Sequence, residues 1–387
     1  MTMQDNRKPR ILVTGATGKT GKAVTGQLLD KGYPVTALVH REDARSAALA
    51  RAGATIFVGD LIEPDDLRQA LRGVQRAYFV APWTPTQLHG AMNFAVAAVD
   101  AKLEAVVAIT QWLAQPNHPS VATRQSYLTD QIFDWMPGVD TVSVNTGWFA
   151  DNYMGVLPMA AQLGIFPYRL GDAKVAPVSN EDVARVAVGA LINPAPHVGK
   201  YYRPTGPELL GPDQLATTFA KVFGRPVQYK ELSERMFFKA VKSQGLIVHP
   251  HHMAQLRLYI EDYRRGSFSV GSVNDTVREV GGSEPEDFET IVRRYAKSNP
   301  MSKPSLANKL RTVAAFIKIL LTPAPDLLAY DEAQHQPRLR VPEYVIDNAA
   351  WRETHDVTGA FGTTSAHNQG HIHVASRELA VPTAPLF

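Results

Sequence analysis

The sequence predicts an α/β fold built on a doubly wound parallel sheet. A glycine-rich turn follows an apolar run near the start of the chain, and short apolar runs then recur, each followed by a segment long enough for a helix. The runs are continuously apolar, which is typical of parallel strands covered by helices on both faces. A sheet of this kind binds its ligand at the carboxyl ends of its strands.

The predicted elements alternate along the first 150 residues. The first predicted strand and the glycine turn after it lie in RILVTGATGKTG, residues 10–21. The segments 65–71 and 88–103 carry helical spacing between later apolar runs. The further predicted strands are 35–39, 55–58, 77–80, 105–109 and 139–144.

The glycine turn predicts a dinucleotide site. Gly15, Gly18 and Gly21 follow the spacing G-x-x-G-x-x-G, and a helix is expected to open at Lys19. The first turn of a helix points free N–H groups and about half a positive charge at an anion. Glycine is needed because a Cβ would hold the phosphates away. We therefore expect these residues, together with Thr17, to bind a pyrophosphate.

A phosphate-binding loop of the ATPase type is the competing interpretation, because Gly18, Lys19 and Thr20 match the end of G-x-x-x-x-G-K-[ST]. That motif needs a glycine five positions before Gly18. Val13 occupies this position, inside the apolar strand. The sequence therefore favours the dinucleotide site.

The residues after the second strand predict the choice of nicotinamide cofactor. They are His40 and Arg41, followed by Glu42. An acid here would bind a free ribose 2′-hydroxyl, whereas an arginine can pair with a 2′-phosphate. A charged hydrogen bond of roughly 1.5–3 kcal/mol corresponds to about a 10- to 150-fold preference. NADP(H) is favoured over NAD(H), although binding of the ribose by Glu42 stays an open alternative.

Several motifs resemble the NmrA-like atypical short-chain dehydrogenases/reductases over residues 10 to about 298. They are TGATGKTG, VHR after the second strand, VGDL at 58–61, NTGWFADNY at 145–153, PVSNEDVARVA at 177–187 and the segment 204–227. The resemblance implies that Asp60 approaches the adenine and that Ala81 to Trp83 line the ribose and nicotinamide. It also implies that Thr110 lies near the nicotinamide.

The catalytic pair common in the wider reductase class, a tyrosine followed four residues later by lysine, is missing. None of the 13 tyrosines has lysine at that position, and the nearest relic is Tyr127 with Gln131. An unassisted tyrosine titrates near pH ~10. Arg124 precedes Tyr127 by three residues and should share its helix face. Tyr127 and Thr110 are the candidates for polarising an acceptor.

Without that pair, the sequence favours an acceptor that forms a stable anion. A positioned acid contributes about 10²–10⁴-fold to a reaction that needs one. A quinone or an enone can accept hydride and take its proton from water. The resemblance implies the same classes, since relatives include quinone, phenylpropanoid and azo-dye reductases. The family also includes redox-sensing regulators, so the alternative is a non-catalytic NADP(H) sensor that acts through a protein partner.

The second half of the chain is predicted to supply the substrate pocket. Trp148, Phe149 and Tyr153 follow the sixth strand, and Trp112 follows the fifth. We expect them to bind a small planar apolar molecule. The predicted domains are a Rossmann domain at 8–150, a smaller α/β substrate lobe at 151–298 that returns to the first domain near 175–195, and a carboxyl-terminal appendage at 299–387.

Composition narrows the function classes. The 387 residues carry a net charge of only +3, which gives no argument for nucleic-acid binding, and include no cysteine. The best membrane candidate, 313–321, is too short to span a bilayer and contains Lys318. We expect a cytoplasmic protein with no membrane span and no metal in its site. The sequence leaves open a homo-oligomer or a regulatory partner.

Overall fold

A computed structural model describes residues 8–245, 250–271, 273–329 and 332. All of them belong to one compact unit. Its strands are β1 (Ile11–Val13), β2 (Val35–Val39), β3 (Thr55–Val58), β4 (Arg76–Phe79), β5 (Ala105–Gln111), β6 (Asp140–Thr146), β7 (Ile165–Tyr168), β8 (Tyr201–Tyr202) and β9 (Gln228–Glu231).

Helices connect and cover these strands. They are α1 (Lys19–Asp30), α2 (Ala44–Arg51), α3 (Pro64–Ala70), α4 (Gln87–Asp100), α5 (Val121–Asp134), α6 (Leu157–Leu163), α7 (Asn180–Ile192), α8 (Pro212–Phe223), α9 (Glu234–Ser243), α10 (Pro250–Arg264), α11 (Thr276–Gly281), α12 (Phe288–Ser298) and α13 (Leu306–Leu321). A 3-10 helix, Ala150–Val156, follows β6.

The main sheet has seven parallel strands in the order β3-β2-β1-β4-β5-β6-β8. The strand order reverses between β1 and β4, which is the position where doubly wound sheets bind nucleotides. The predicted fold class and the six predicted strands are confirmed. The seventh strand, β8, has only two residues, and the sequence pattern did not indicate it.

Two apolar layers cover the sheet. On one face, Val24 and Leu28 of α1 pack with Val183 and Ala187 of α7. On the other face, a second buried cluster includes Phe94 of α4 and residues of α3 and α5. Continuous burial of β1, β2 and most of β5 follows from this double cover.

The smaller lobe is built around β7 and β9, which form a parallel pair. Its core is rich in aromatic side chains, among them Phe166, Phe219 and Phe288. The chain returns to the main sheet for α7 and β8, and returns once more when α11 packs on α7. This contact is so close that a Cβ built on Gly189 would lie 2.0 Å from the Val280 carbonyl oxygen.

The predicted appendage begins with a docked helix. α13 packs against α6 and α9 of the smaller lobe. Residues 330, 331 and 333–387 of the predicted 299–387 appendage lie outside the described residues. Among the residues that the structure describes, no helix combines the length and apolarity that crossing a bilayer requires.

Candidate functional site

The glycine turn between β1 and α1 is tight at two positions. Gly15 has φ +56°, and a Cβ built on it would lie 2.7 Å from Val80 Cγ1. A Cβ built on Gly21 would lie 2.3 Å from the Gly15 carbonyl oxygen. The same oxygen accepts a hydrogen bond of 2.9 Å from the Gly18 N–H. These contacts show that the turn itself requires glycine at positions 15 and 21, before any ligand is considered.

The amino terminus of α1 lacks a side-chain cap. Gly18 is the N-cap residue, and no acidic side chain lies in the first turn. Among the helices whose caps the structure describes, side chains cap six others: Asp43 on α2, Ser120 on α5, Ser179 on α7, Ser233 on α9, Asp287 on α12 and Ser305 on α13. The N–H groups in the first turn of a helix have no intrahelical acceptor. Because Gly18 and Lys19 are exposed, α1 presents these groups and a cation to solvent.

Arg41 lies at the end of β2 with its side chain 76% exposed. Its Nε is 4.0 Å from Asp43 Oδ2. Arg45 binds Asp43 more closely and lowers the pKa of the Asp43 carboxyl to about 2. The Asp43 side chain also caps α2. The Arg41 guanidinium is therefore free to turn toward a phosphate, and Glu42 beside it is also exposed.

Asp60 lies across from His40 at the same sheet edge. Its Oδ2 is 3.4 Å from His40 Nδ1. Its Oδ1 accepts a hydrogen bond from the Ile62 N–H at 3.1 Å, and its own N–H donates to Asp66. Asp60 thus closes a turn after β3 while one of its oxygens faces the end of β2.

A cavity of about 540 Å³ opens beside the carboxyl ends of β4, β5 and β6. This volume lies within the range typical of small-molecule sites. The cavity extends from Lys19, at the start of α1, to α9 and α10 of the smaller lobe. Ala81 and Trp83 line it after β4.

Aromatic and aliphatic side chains form the wall contributed by the smaller lobe. Trp148 and Phe149 line the cavity, together with Tyr259 of α10, whose ring stacks on Trp148 at a centroid distance of 5.5 Å. Phe237 of α9 and Tyr168 complete this wall. Such a surface suits a planar apolar ring.

Two predicted pocket residues lie in the core instead. Trp112 is buried away from the cavity, and the Arg203 guanidinium lies over its ring at 5.2 Å. Tyr153 is fully buried, and its hydroxyl is 2.8 Å from that of Tyr263. Predicting the pocket from aromatic density was wrong for these two residues, because the smaller lobe uses the same side-chain types to fill its own interior.

Thr110 lines the cavity but belongs to a buried polar network. Its hydroxyl donates to Asp130 at 3.0 Å and accepts from the Asn145 amide. Ser143 also donates to Asp130, at 2.7 Å. Burial raises the pKa of Asp130 to about 6, although these hydrogen bonds act in the opposite direction. A hydroxyl can donate one hydrogen bond, and the Thr110 hydroxyl donates its hydrogen bond to Asp130.

Tyr127 does not line this cavity. It lies on another face of α5, beside Arg124, where the two side chains border a separate small depression of about 210 Å³. The neighbouring residue Ser126 faces the main cavity instead. The expected sharing of a face by Tyr127 and Arg124 agrees with the structure, whereas a catalytic role for Tyr127 receives no support from its position. The helical rotation per residue explains why the adjacent side chain points elsewhere.

Asp151 is a cavity residue that the sequence reasoning missed. It lies in the 3-10 helix after β6 and is only 4% exposed, and neither of its carboxyl oxygens has a hydrogen-bond partner of good geometry within the described residues. Burial raises its pKa, and the charge of Lys19 lowers it. Its local signal in the sequence is the single acid within the aromatic-rich motif GWFADNY.

Comparison with known proteins agrees with this geometry. The profile of the NmrA-like family matches residues 7–109. The NAD(P)H azoreductase of Xenophilus azovorans is 30% identical over 286 residues, which cover 74% of this chain and 98% of the azoreductase. The NADPH complex of quinone oxidoreductase QOR2 from Escherichia coli is 25% identical with a TM-score of 0.62, covering 73% of this chain and 99% of that one.

A regulatory protein shares the same fold. NmrA, a negative transcriptional regulator solved in complex with NAD, has a TM-score of 0.64 at 18% identity, covering 77% of this chain and 100% of that one. At this identity the likeness concerns the fold alone. The glycine turn, the sheet order and the near full-length match to the azoreductase together show that the chain belongs to the NmrA-like family, within the NAD(P)-binding atypical short-chain dehydrogenases/reductases.

Proposed function

We propose that this protein is an NAD(P)H-dependent reductase of planar, apolar acceptors of the quinone or enone class. One observation carries the proposal: a single cavity joins the uncapped amino terminus of α1 to an aromatic wall. A dinucleotide held at the first end would extend toward a ring bound at the second. The azoreductase and the quinone oxidoreductase among its relatives support a reaction of this type.

The residues at the first end fit a nicotinamide dinucleotide. Gly18 places no side chain over the start of α1, and a Cβ there would already lie 3.1 Å from the Gly15 carbonyl oxygen. We assign Gly15, Thr17, Gly18, Lys19 and Gly21 to the pyrophosphate. When bound, the reduced cofactor supplies a hydride to the acceptor.

Arg41 is the proposed contact to the 2′-phosphate, so we propose a preference for NADP(H). Its guanidinium is exposed and lies 4.0 Å from the Asp43 carboxyl. Asp60, facing His40 at 3.4 Å, is the proposed neighbour of the adenine. Ala81 and Trp83 would lie along the ribose and nicotinamide.

The acceptor would bind between Trp148, Phe149 and Tyr259. These rings exclude water from the apolar part of the cavity and orient a flat molecule by stacking. Thr110 fixes the polar end of β5 rather than donating a proton, because its hydroxyl proton is held by Asp130. The proton that completes the reduction would come from water, which suits acceptors whose reduced anion is stable.

The test is NADPH absorbance decay with a panel of quinones, enones, aldehydes and azo dyes, with Gly18→Val as the blank. Turnover above the blank with quinones or enones supports the proposal. Turnover confined to aldehydes contradicts the acceptor class, because aldehydes need a positioned acid. A protein that binds NADPH and reduces none of the panel contradicts the reductase proposal.

A non-catalytic NADP(H) sensor is the second candidate. The absence of the Tyr/Lys pair favours it, since tight cofactor binding without turnover needs no acid. A sensor of this kind would act through a protein partner. Its signature would be a difference in affinity between NADPH and NADP⁺, without oxidation of NADPH by any acceptor.

A further inference from the structure

The outer face of α13 is apolar and exposed. Leu310 is 61% exposed and Ile317 is 48% exposed. The spacing of the apolar residues alternates between three and four, so they form one stripe along the helix. Its members are Leu306, Leu310, Val313, Ile317, Leu320 and Leu321. Isolated apolar side chains are ordinary on a protein surface, whereas a contiguous stripe marks an interaction site.

The stripe is not the face that holds α13 on the protein. Thr312 and Ile319, on the opposite side, are the buried residues of this helix. The helix packs through that side against α6 and α9. At its carboxyl end, the Lys239 ammonium of α9 donates to the Leu320 carbonyl oxygen. Among the residues that the structure describes, docking of α13 therefore leaves the apolar stripe uncovered.

Basic residues border the stripe on both sides. At 100° per residue, Lys309 falls on one border, and Arg311 and Lys318 fall on the other. The helix Leu306–Leu321 contains no aspartate or glutamate. The next acid along the chain is Asp326, which accepts a hydrogen bond from the Ala329 N–H.

The neighbouring helix α9 extends this basic surface. Arg235, Lys239 and Lys242 are spaced four and three residues apart, so they share one face. Arg235 and Lys242 are exposed. The single acid of α9, Glu234, is neutralised by Arg257, whose Nε lies 2.6 Å from Glu234 Oε1.

We propose that α13 binds the surface of an anionic lipid membrane, lying in the interface with its apolar stripe toward the acyl chains. An apolar stripe flanked by lysine and arginine is the pattern of such interfacial helices. Anionic headgroups attract each nearby basic residue. With 16 residues the helix is about 24 Å long, and it would lie flat rather than cross.

Charge argues against a second copy of this chain as the occupant. A symmetric contact would place the stripe of one copy on the stripe of the other. The basic borders of the two helices would then face each other without any acid on α13 to pair with them. An anionic lipid surface satisfies the same borders and accepts the apolar side chains.

The surface lies next to the candidate site. Phe237 and Val241 of α9 line the cavity, while the same helix carries α13. Membrane binding would therefore bring a wall of the cavity close to the bilayer, where apolar ring compounds accumulate. The proposal does not depend on the proposed reaction, because lipid binding is measured without cofactor or acceptor.

The experiment is co-sedimentation of the full chain with vesicles of phosphatidylcholine, alone or mixed with phosphatidylserine. The test variant is Val313→Glu/Ile317→Glu. Its matched control is Met92→Glu/Val96→Glu, which changes two exposed apolar residues of α4 at the same spacing. Both pairs are exposed, so both variants should fold, and far-UV circular dichroism checks this.

We expect the wild type and the α4 variant to bind the anionic vesicles, with binding that weakens as salt is raised. Each added negative charge costs about fivefold in partitioning, so the α13 variant should bind at least about 20-fold more weakly. Equal weakening in both double variants would overturn the proposal, as would absence of vesicle binding by the wild type. Concentration-dependent self-association that only the α13 variant abolishes would overturn it in favour of a second copy.

Discussion

Replacing Gly18 by valine should remove dinucleotide binding while leaving the fold intact. Gly18 has φ −76°, a backbone conformation that any residue adopts, and its built Cβ would lie 3.1 Å from the Gly15 carbonyl oxygen. This contact needs a shift of only a few tenths of an ångström. The same change at Gly21 would place Cβ at 2.3 Å from that oxygen and disrupt the turn. Gly18 therefore separates binding from folding.

The expected loss follows from the hydrogen bonds that a displaced phosphate gives up. The valine methyl groups would stand over the first turn of α1 and hold a phosphate away from its N–H groups. Losing two charged hydrogen bonds of about 1.5–3 kcal/mol each amounts to about 3–6 kcal/mol. Since about 1.4 kcal/mol corresponds to a factor of ten, NADPH should bind at least about 100-fold more weakly.

The matched control is Gly26→Val, in the middle of the same helix. A Cβ built on Gly26 meets no atom within 4 Å. Valine there should leave NADPH affinity within about twofold and stabilise the helix slightly, because glycine is the poorer helix former. Titration calorimetry gives the affinities. Thermal unfolding with NADPH at about 100 times the wild-type Kd should show about 2.7 kcal/mol of stabilisation in wild type and control, and less than about 0.5 kcal/mol in Gly18→Val.

One result would refute the reasoning. If Gly18→Val unfolds cooperatively near the wild-type temperature and still binds NADPH within about threefold of wild type, the phosphates do not approach the start of α1. The dinucleotide would then have to bind elsewhere, and the assignment of the glycine turn would fail. Loss of binding in both Gly18→Val and Gly26→Val would show only that α1 is sensitive to valine.

Four further predictions concern cofactor choice, catalysis and pH. Arg41→Glu should lower the ratio of NADPH to NADH affinity about 10- to 150-fold. The control Arg51→Glu, which makes the same charge change at the end of α2, should leave that ratio unchanged. Equal ratios in the two variants would mean that the 2′-phosphate is recognised elsewhere. Tyr127→Phe should change kcat less than about twofold because its side chain borders a different depression, and a loss beyond about 100-fold would restore it as an acid. A bound pyrophosphate should raise the already elevated pKa of Asp151 further, so NADPH binding should be coupled to proton uptake and should tighten as pH falls. Calorimetry in buffers of different ionisation enthalpy should detect this proton uptake in the wild type and not in Asp151→Asn. Burial raises the folded-state pKa of Asp130 to about 6, so the stabilisation from proton binding at Asp130 is fully present below about pH 4 and is lost as pH rises through 6. Over that window, urea unfolding should show that the wild type loses about 3 kcal/mol of unfolding free energy relative to Asp130→Asn. A constant difference between the two proteins would contradict the assignment.

The glycine-turn end of the cavity was predictable because its determinants are local. Gly15 and Gly21 are required by contacts within one turn, and the turn, its strand and its helix span about twenty residues of continuous sequence. Arg41 could be located in the same way, since the end of β2 is set by an apolar run that the sequence displays.

The aromatic end of the cavity was only partly predictable. Trp148 and Phe149 reach the cavity, whereas Trp112 and Tyr153 fill the core, although the four side chains are chemically alike. α9 and α10, which form the far wall, come from a part of the chain some ninety residues beyond β6. Which aromatic residue faces the cavity depends on how these helices pack, and no local pattern encodes that packing.

By itself, the sequence determined the α/β class, six strands of the sheet, the glycine turn and the absence of a Tyr/Lys pair, because each depends on residue order over short distances. Tertiary structure alone decided that the Thr110 hydroxyl donates its hydrogen bond to Asp130, that Tyr127 lies outside the cavity and that Asp151 lies in its wall. It also decided which face of α13 is buried. The physical reason is that burial and hydrogen-bond partners arise between segments distant in sequence, and these set the chemistry of each side chain.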